Sequence, residues 1–149
     1  MPLLLNRPTP FKINDRVSVT LIHGTSATSR TAIGTVCMKK MAPVNRALPE
    51  GDQTDHIYVS FDDAAVNVYA DWLQRGSMIL CRIPEDDNEG PFCDNREYVI
   101  DTIRRSNDGT VESMEVYSYS GFRQIKTIAL QDIRAMLIWL VAYDMKLSS

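Results

Sequence analysis

The sequence holds few cysteines, no long apolar run and no dominant charge of one sign. Cys37, Cys81 and Cys93 make an odd count at no metal-like spacing. That argues against a secreted disulfide framework and favours free thiols. Sixteen Lys and Arg face nineteen Asp and Glu, a net charge of −3. A strongly basic nucleic-acid binder is not implied by that total. The longest apolar run, Ala135 to Tyr143, has nine residues, well under the ~20 of a spanning helix. Three leucines after Met1-Pro2 are too few for the apolar region of a signal peptide. A soluble, cytoplasmic protein with no membrane contact is expected.

Motifs that carry chemistry are also missing. There is no GxxxxGK[ST] loop, GxGxxG turn, HExxH, CxxC or GxSxG. The usual cradles for phosphates and dinucleotides, the zinc-protease helix and the nucleophile elbow are therefore absent. No cofactor, no metal and no catalytic residues are expected, and the chain reads as a non-enzyme. A small hydrolase is the least favoured reading. It rests on His23 near Ser26, Ser29 and Asp15, and nothing fixes their geometry. His56, after Asp55 at the start of a strand, reads as a strand-edge residue. Zinc on Cys81, Cys93 and a histidine has no diagnostic spacing. The acidic loop Glu85 to Gly90 lacks the ligand alternation of a calcium loop.

What is present is a compact-domain composition, 44% hydrophobic and 23% charged over 149 residues. Three prolines mark residues 1–10 as an extended arm. Val17, Val19 and Leu21 alternate with polar residues, the pattern of a half-buried strand. Residues 23–30 form a polar loop, and 32–40 resume as a strand in which Gly34 permits close backbone approach or a bulge. Residues 41–55 read as a long loop. Ile57 to Phe61, Val66 to Ala70 and Met78 to Ile83 read as strands. Tyr98–Arg104, Val111–Tyr119 and Phe122–Ala129 read as a three-stranded meander whose first turn is Ser106-Asn107-Asp108-Gly109. From Gln131 to Lys146, Ile133, Met136, Leu137, Leu140 and Val141 recur at helical spacing. Ile138, Trp139 and Tyr143 widen that face, so a C-terminal helix that is part core and part interface is expected. A strand is the residual reading of this short, partly β-branched run.

Residues 11–75 resemble a small SH3-like β-barrel of the KOW or Tudor kind. The resemblance rests on Asn14-Asp15-Arg16-Val17-Ser18-Val19, Gly34-Thr35-Val36, Tyr58-Val59-Ser60-Phe61-Asp62-Asp63 and Val68-Tyr69-Ala70-Asp71-Trp72-Leu73. It implies a binding module, since barrels of this kind bind nucleic acid, methylated side chains or other proteins. A methyl-lysine cage would have to draw on Tyr58, Tyr69 and Trp72. The expected fold is thus mainly β (α+β). An N-terminal barrel over 11–75 is followed by an antiparallel meander and one helix over 76–149, packed as one unit.

The favoured function is a non-enzymatic adaptor or assembly protein acting by protein–protein contact or self-association through the C-terminal helix, with Trp139, Tyr143 and Ile138 as the contact residues. Small viral or phage structural proteins often have this look, and a viral origin would put the chain in the host-cell cytoplasm. The alternative is a nucleic-acid-binding barrel. It draws on the net +6 of residues 1–49, with Arg16, Arg30, Lys39 and Lys40 as its contacts.

Overall fold

A computed structural model describes residues 11–25, 30–41, 55–62, 68–81, 97–119, 125–139 and 142–148. The arm 1–10, most of the 41–55 loop and the acidic loop at 85–90 lie outside these residues, as do Ser26, Ser29, Asp63 and Cys93. The elements are β1 (Arg16–Leu21), β2 (Thr31–Met41), β3 (Asp55–Phe61), a one-turn helix α1 (Tyr69–Trp72), β4 (Met78–Cys81), β5 (Glu97–Arg105), β6 (Val111–Ser118), β7 (Lys126–Ile128), β8 (Ile133–Leu137) and β9 (Tyr143–Leu147). The strands form one antiparallel sheet in the order β7-β6-β5-β4-β8-β3-β2-β1-β9. The chain is mainly β, as its alternating segments foretold.

Period-2 patterning builds the first three strands. Val17 and Val19 of β1, Ala32 and Val36 of β2, and Ile57, Val59 and Phe61 of β3 turn to one core. Each fully buried aliphatic or aromatic side chain contributes about 1.5–3 kcal/mol. Gly34 makes the close approach its type allows: a β-carbon there would lie 2.5 Å from the Ser60 carbonyl oxygen. The β2 bulge falls further on, between Val36 and Met38. The hairpin between β5 and β6 closes at Ser106–Gly109. Gly109 adopts φ +89°, and the Asp108 carboxylate accepts the Thr110 amide at 3.0 Å. This is the turn its residues imply.

The C-terminal segment corrects the sequence reading. Residues 131–146 do not form a helix. Leu130–Asp132 make a 3-10 turn, after which β8 and β9 run as strands, and Trp139 O accepts both the Ala142 and the Tyr143 amides. The cause lies in β8. Its register against β4 shifts between Leu80 and Cys81, so that Leu80 faces Ala135 and Cys81 faces Ile133. The extra residue, Arg134, reverses the alternation. Ile133, Met136 and Ile138 reach one core, and Ala135 and Leu137 reach another on the opposite face. A strand buried on both faces reads as a continuous apolar run and can mimic helical spacing.

A second correction concerns residues 68–73. Val68 to Ala70 are not a strand: Tyr69–Trp72 form α1, with the Leu73 amide bonded to Tyr69 O at 3.1 Å. Tyr69 and Trp72 face Phe61 at ring-centroid separations of 6.0 and 5.6 Å, and Trp72 meets Tyr143 at 5.3 Å. The two halves of the chain are interwoven. Strand β8 lies between β3 and β4, and β9 pairs with β1.

Candidate functional site

The most unusual polar arrangement stands on the face of β3 that turns away from the main core. Alternation sends Ile57, Val59 and Phe61 to that core and His56 and Tyr58 to the opposite side. Beyond β8 and β4, Glu97 opens β5 on the same face, opposite Leu80. Tyr58 donates its phenol hydrogen to Glu97 Oε2. His56 Nδ1 lies 3.3 Å from the same oxygen. Small Ala135 lies between these groups in the sheet order, on the strand that separates β3 from β4. All three polar residues are buried: His56 is 4% exposed, Glu97 6% and Tyr58 0%. Burial and the neighbouring carboxylate both push the Tyr58 phenol far above its ordinary value, so it remains a donor.

Two aromatic rings border the imidazole. Trp139 and Tyr119 stand edge-on to His56, with centroids 5.7 and 6.1 Å away and interplanar angles of 77° and 66°. Both are partly open to solvent, Trp139 at 40% and Tyr119 at 41%. Their backbones are held in place. The amide of Ile138, next to Trp139, donates to Ile57 O at 2.8 Å, and the Tyr119 amide donates to Glu97 O at 3.0 Å. Two exposed aromatics thus flank a buried, hydrogen-bonded imidazole on a rigid sheet.

The contact residues expected from sequence are divided by the fold. Trp139 faces outward. Ile138 is in the main core, and Tyr143 is buried against Trp72. They stand on strand and turn rather than on one face of a helix, so they do not share a surface. The four basic residues are placed separately. Arg16 forms a two-pronged ion pair with Asp62 and also donates to Thr35 Oγ1 at 2.9 Å. The pair holds the Asp62 carboxyl below the usual carboxylate range. Arg30 lies 3.4 Å from Asp71. Lys39 Nζ donates to Phe11 O at 3.1 Å. Only the backbone of Lys40 is described, at the β2 position opposite His56.

The remaining expectations are located in turn. His23 is exposed after β1, and Asp15 accepts the Lys12 amide through Oδ2 at 2.9 Å. Tyr58, Tyr69 and Trp72 do not gather into a cage, because Tyr58 lies on the Glu97 side while the other two pack against Phe61. Cys37 Sγ donates to Tyr58 O at 3.6 Å, and Cys81 is buried. Among the described residues, no group of three His, Cys, Asp or Glu is arranged to hold a metal ion. No helix there is long and apolar enough to cross a membrane.

Sequence reasoning placed His56 at a strand edge and did not single out Glu97 or Tyr119. The sequence signal available was alternation, which puts His56 and Tyr58 on one face. Their meeting with Glu97 depends on a register that local pattern does not encode. No family model matches the chain, and no curated protein or solved structure matches it either.

Proposed function

We propose that this chain is a non-enzymatic binding protein that works by protein–protein contact. Its contact surface is centred on Trp139 and Tyr119 where they flank His56. One observation carries this reading: two half-exposed aromatic side chains are fixed against the same buried imidazole. Large, rigid aromatics that can still be desolvated are the residues that dominate protein interfaces. The Tyr58–Glu97–His56 cluster beneath them is closed to solvent, which suits a support for the surface rather than a place for a substrate.

The resemblance to SH3-like barrels enters this proposal in a changed form. The barrel would be built from β8, β3, β2, β1 and β9, which are contiguous in the sheet. In this form the C-terminal strands supply two of its five strands, the outer edge of β9 stays open, and β4–β7 are an extension of the same sheet. The nucleic-acid reading draws less support, because Arg16, Arg30 and Lys39 are each engaged by an acceptor of this chain.

The test uses the native chain and Trp139→Asp as paired baits in extracts of the source cells, with circular dichroism confirming that both are folded. A partner held by the native chain and lost by the variant is the expected result. Identical captured sets would overturn the assignment of the surface. Steep, salt-sensitive binding of a labelled oligonucleotide by both forms would favour nucleic acid instead.

A further inference from the structure

Strand β9 ends the sheet order, so among the described residues no strand lies beyond it. Its pairing with β1 fixes which groups lie along the outer edge. Ile22 donates to Ala142 O at 2.9 Å and Ser148 donates to Arg16 O at 2.8 Å. In this register the even-numbered residues of β9 exchange bonds with β1. Tyr143, Met145 and Leu147 therefore turn their backbone groups the other way. The Tyr143 amide is taken by Trp139 O. The Tyr143 carbonyl, both groups of Met145 and both of Leu147 point to the edge. The side chains of Tyr143 and Met145 turn inward to the core, while Asp144, Lys146 and Leu147 are exposed.

The segment Tyr143-Asp144-Met145-Lys146-Leu147 is complementary to itself in reverse. Laid antiparallel on a second copy about Met145, it sets Asp144 opposite the second copy's Lys146, and Lys146 opposite its Asp144. Met145 meets Met145 at a hydrogen-bonded position, where each amide reaches the other's carbonyl. The charged residues fall at the non-hydrogen-bonded positions, where the Cα atoms approach to about 4.5 Å and side chains are closest. Within one copy Lys146 Nζ already lies 3.5 Å from Asp144 Oδ2, so pairing would gather alternating charges into one cluster. Leu147, the most exposed large apolar side chain among the described residues at 61%, would gain Tyr143 of the second copy as a neighbour. A lysine on an edge strand usually hinders strand addition. A lysine and an aspartate placed symmetrically about the centre instead favour one partner, the same strand in reverse.

We propose that the chain self-associates as a twofold dimer by antiparallel pairing of β9 with β9 of a second copy. The contact is separate from the Trp139 surface and does not depend on it. An edge of five residues buries less than the roughly 1,200 Å² of a standard interface, so the dimer is weak and forms as concentration rises.

Sedimentation velocity over a concentration series tests this on four samples: the native chain, Asp144→Lys, Lys146→Asp, and an equal mixture of the two variants. The native chain should shift from monomer to dimer. Each variant alone places like charges opposite each other and should associate at least about tenfold more weakly. The mixture should regain association, because the all-basic edge of one variant then faces the all-acidic edge of the other. Both substituted residues are exposed, and circular dichroism confirms that the variants fold. A native chain that stays monomeric throughout, variants that associate like the native chain, or a mixture that recovers nothing would each overturn the proposal. Trp139→Asp should still dimerise. Loss of the dimer there would move the contact to Trp139 and away from β9.

Discussion

Gly34 lies so close to the Ser60 carbonyl on the neighbouring strand that a single methyl group would not fit between them. A β-carbon on Gly34 would stand 2.5 Å from Ser60 O and 2.7 Å from Val59 Cγ1. The first of these is backbone of the β2–β3 ladder and cannot swing aside. Gly34→Ala should therefore lower stability by about 1–3 kcal/mol, the usual cost of overpacking. A denaturation midpoint moved to lower urea with unchanged slope would show it.

The Tyr58–Glu97 contact predicts a second loss. Tyr58→Phe keeps the ring and removes the donor, leaving a buried carboxylate with one partner fewer. The expected cost is about 1–3 kcal/mol. Equilibrium urea unfolding measures it, and a change of a few tenths would mean that Glu97 is satisfied without the phenol.

Tyrosine ionisation gives a test with a definite sign. Tyr58, Tyr69 and Tyr143 all have phenols pushed above their ordinary value of about 10, chiefly by burial. In the unfolded chain they lose their protons near that value, while the folded chain keeps them. The unfolded state then binds fewer protons, so stability is fully present below about pH 10 and falls as the pH rises above it. Of the six tyrosines, these three should show tyrosinate absorbance only as the chain unfolds. Smooth ionisation of all six in a chain that keeps its circular dichroism would contradict the packing.

The β5–β6 turn should respond at the acid end. Asp108 accepts from Ser106 Oγ and from the Thr110 amide, and these bonds bring its carboxyl down to about 2. Its contribution is present above the ordinary carboxylate value and is lost as the pH falls towards 2. Protection of the Thr110 amide from exchange, relative to an unstructured chain at the same pH, should therefore fall below about pH 4, ahead of protection in the buried strands. Asp108→Asn should remove most of that pH dependence.

The elements whose patterning is local were readable from sequence alone. Val17 and Val19 announced β1, Ile57, Val59 and Phe61 announced β3, and Asn107-Asp108-Gly109 announced the hairpin turn. The C-terminal segment was not readable, because Arg134 breaks the alternation and Ala135 to Ile138 are covered on both faces. At Tyr69–Trp72 the aromatic, strand-favouring composition concealed a single helical turn, which is held by packing against Phe61 and Tyr143 and not by propensity. Of the candidate site, Trp139 was legible as a large apolar residue in a segment with too many of them. Glu97 was not: the carboxylate and the imidazole come from distant parts of the chain, and only the placement of β8 and β4 between β3 and β5 brings them to one face.

That same placement governs the order in which the molecule can assemble. During synthesis, β3 emerges with β2 beside it, but its other neighbour, β8, is made only after about half the chain more has followed. Until then one side of β3 lacks a partner strand, and β1 likewise waits for β9. A nascent chain of this kind cannot mature segment by segment. Its closing step is the threading of late-made residues between early ones, which favours slow folding and exposes unpaired strand edges on the ribosome.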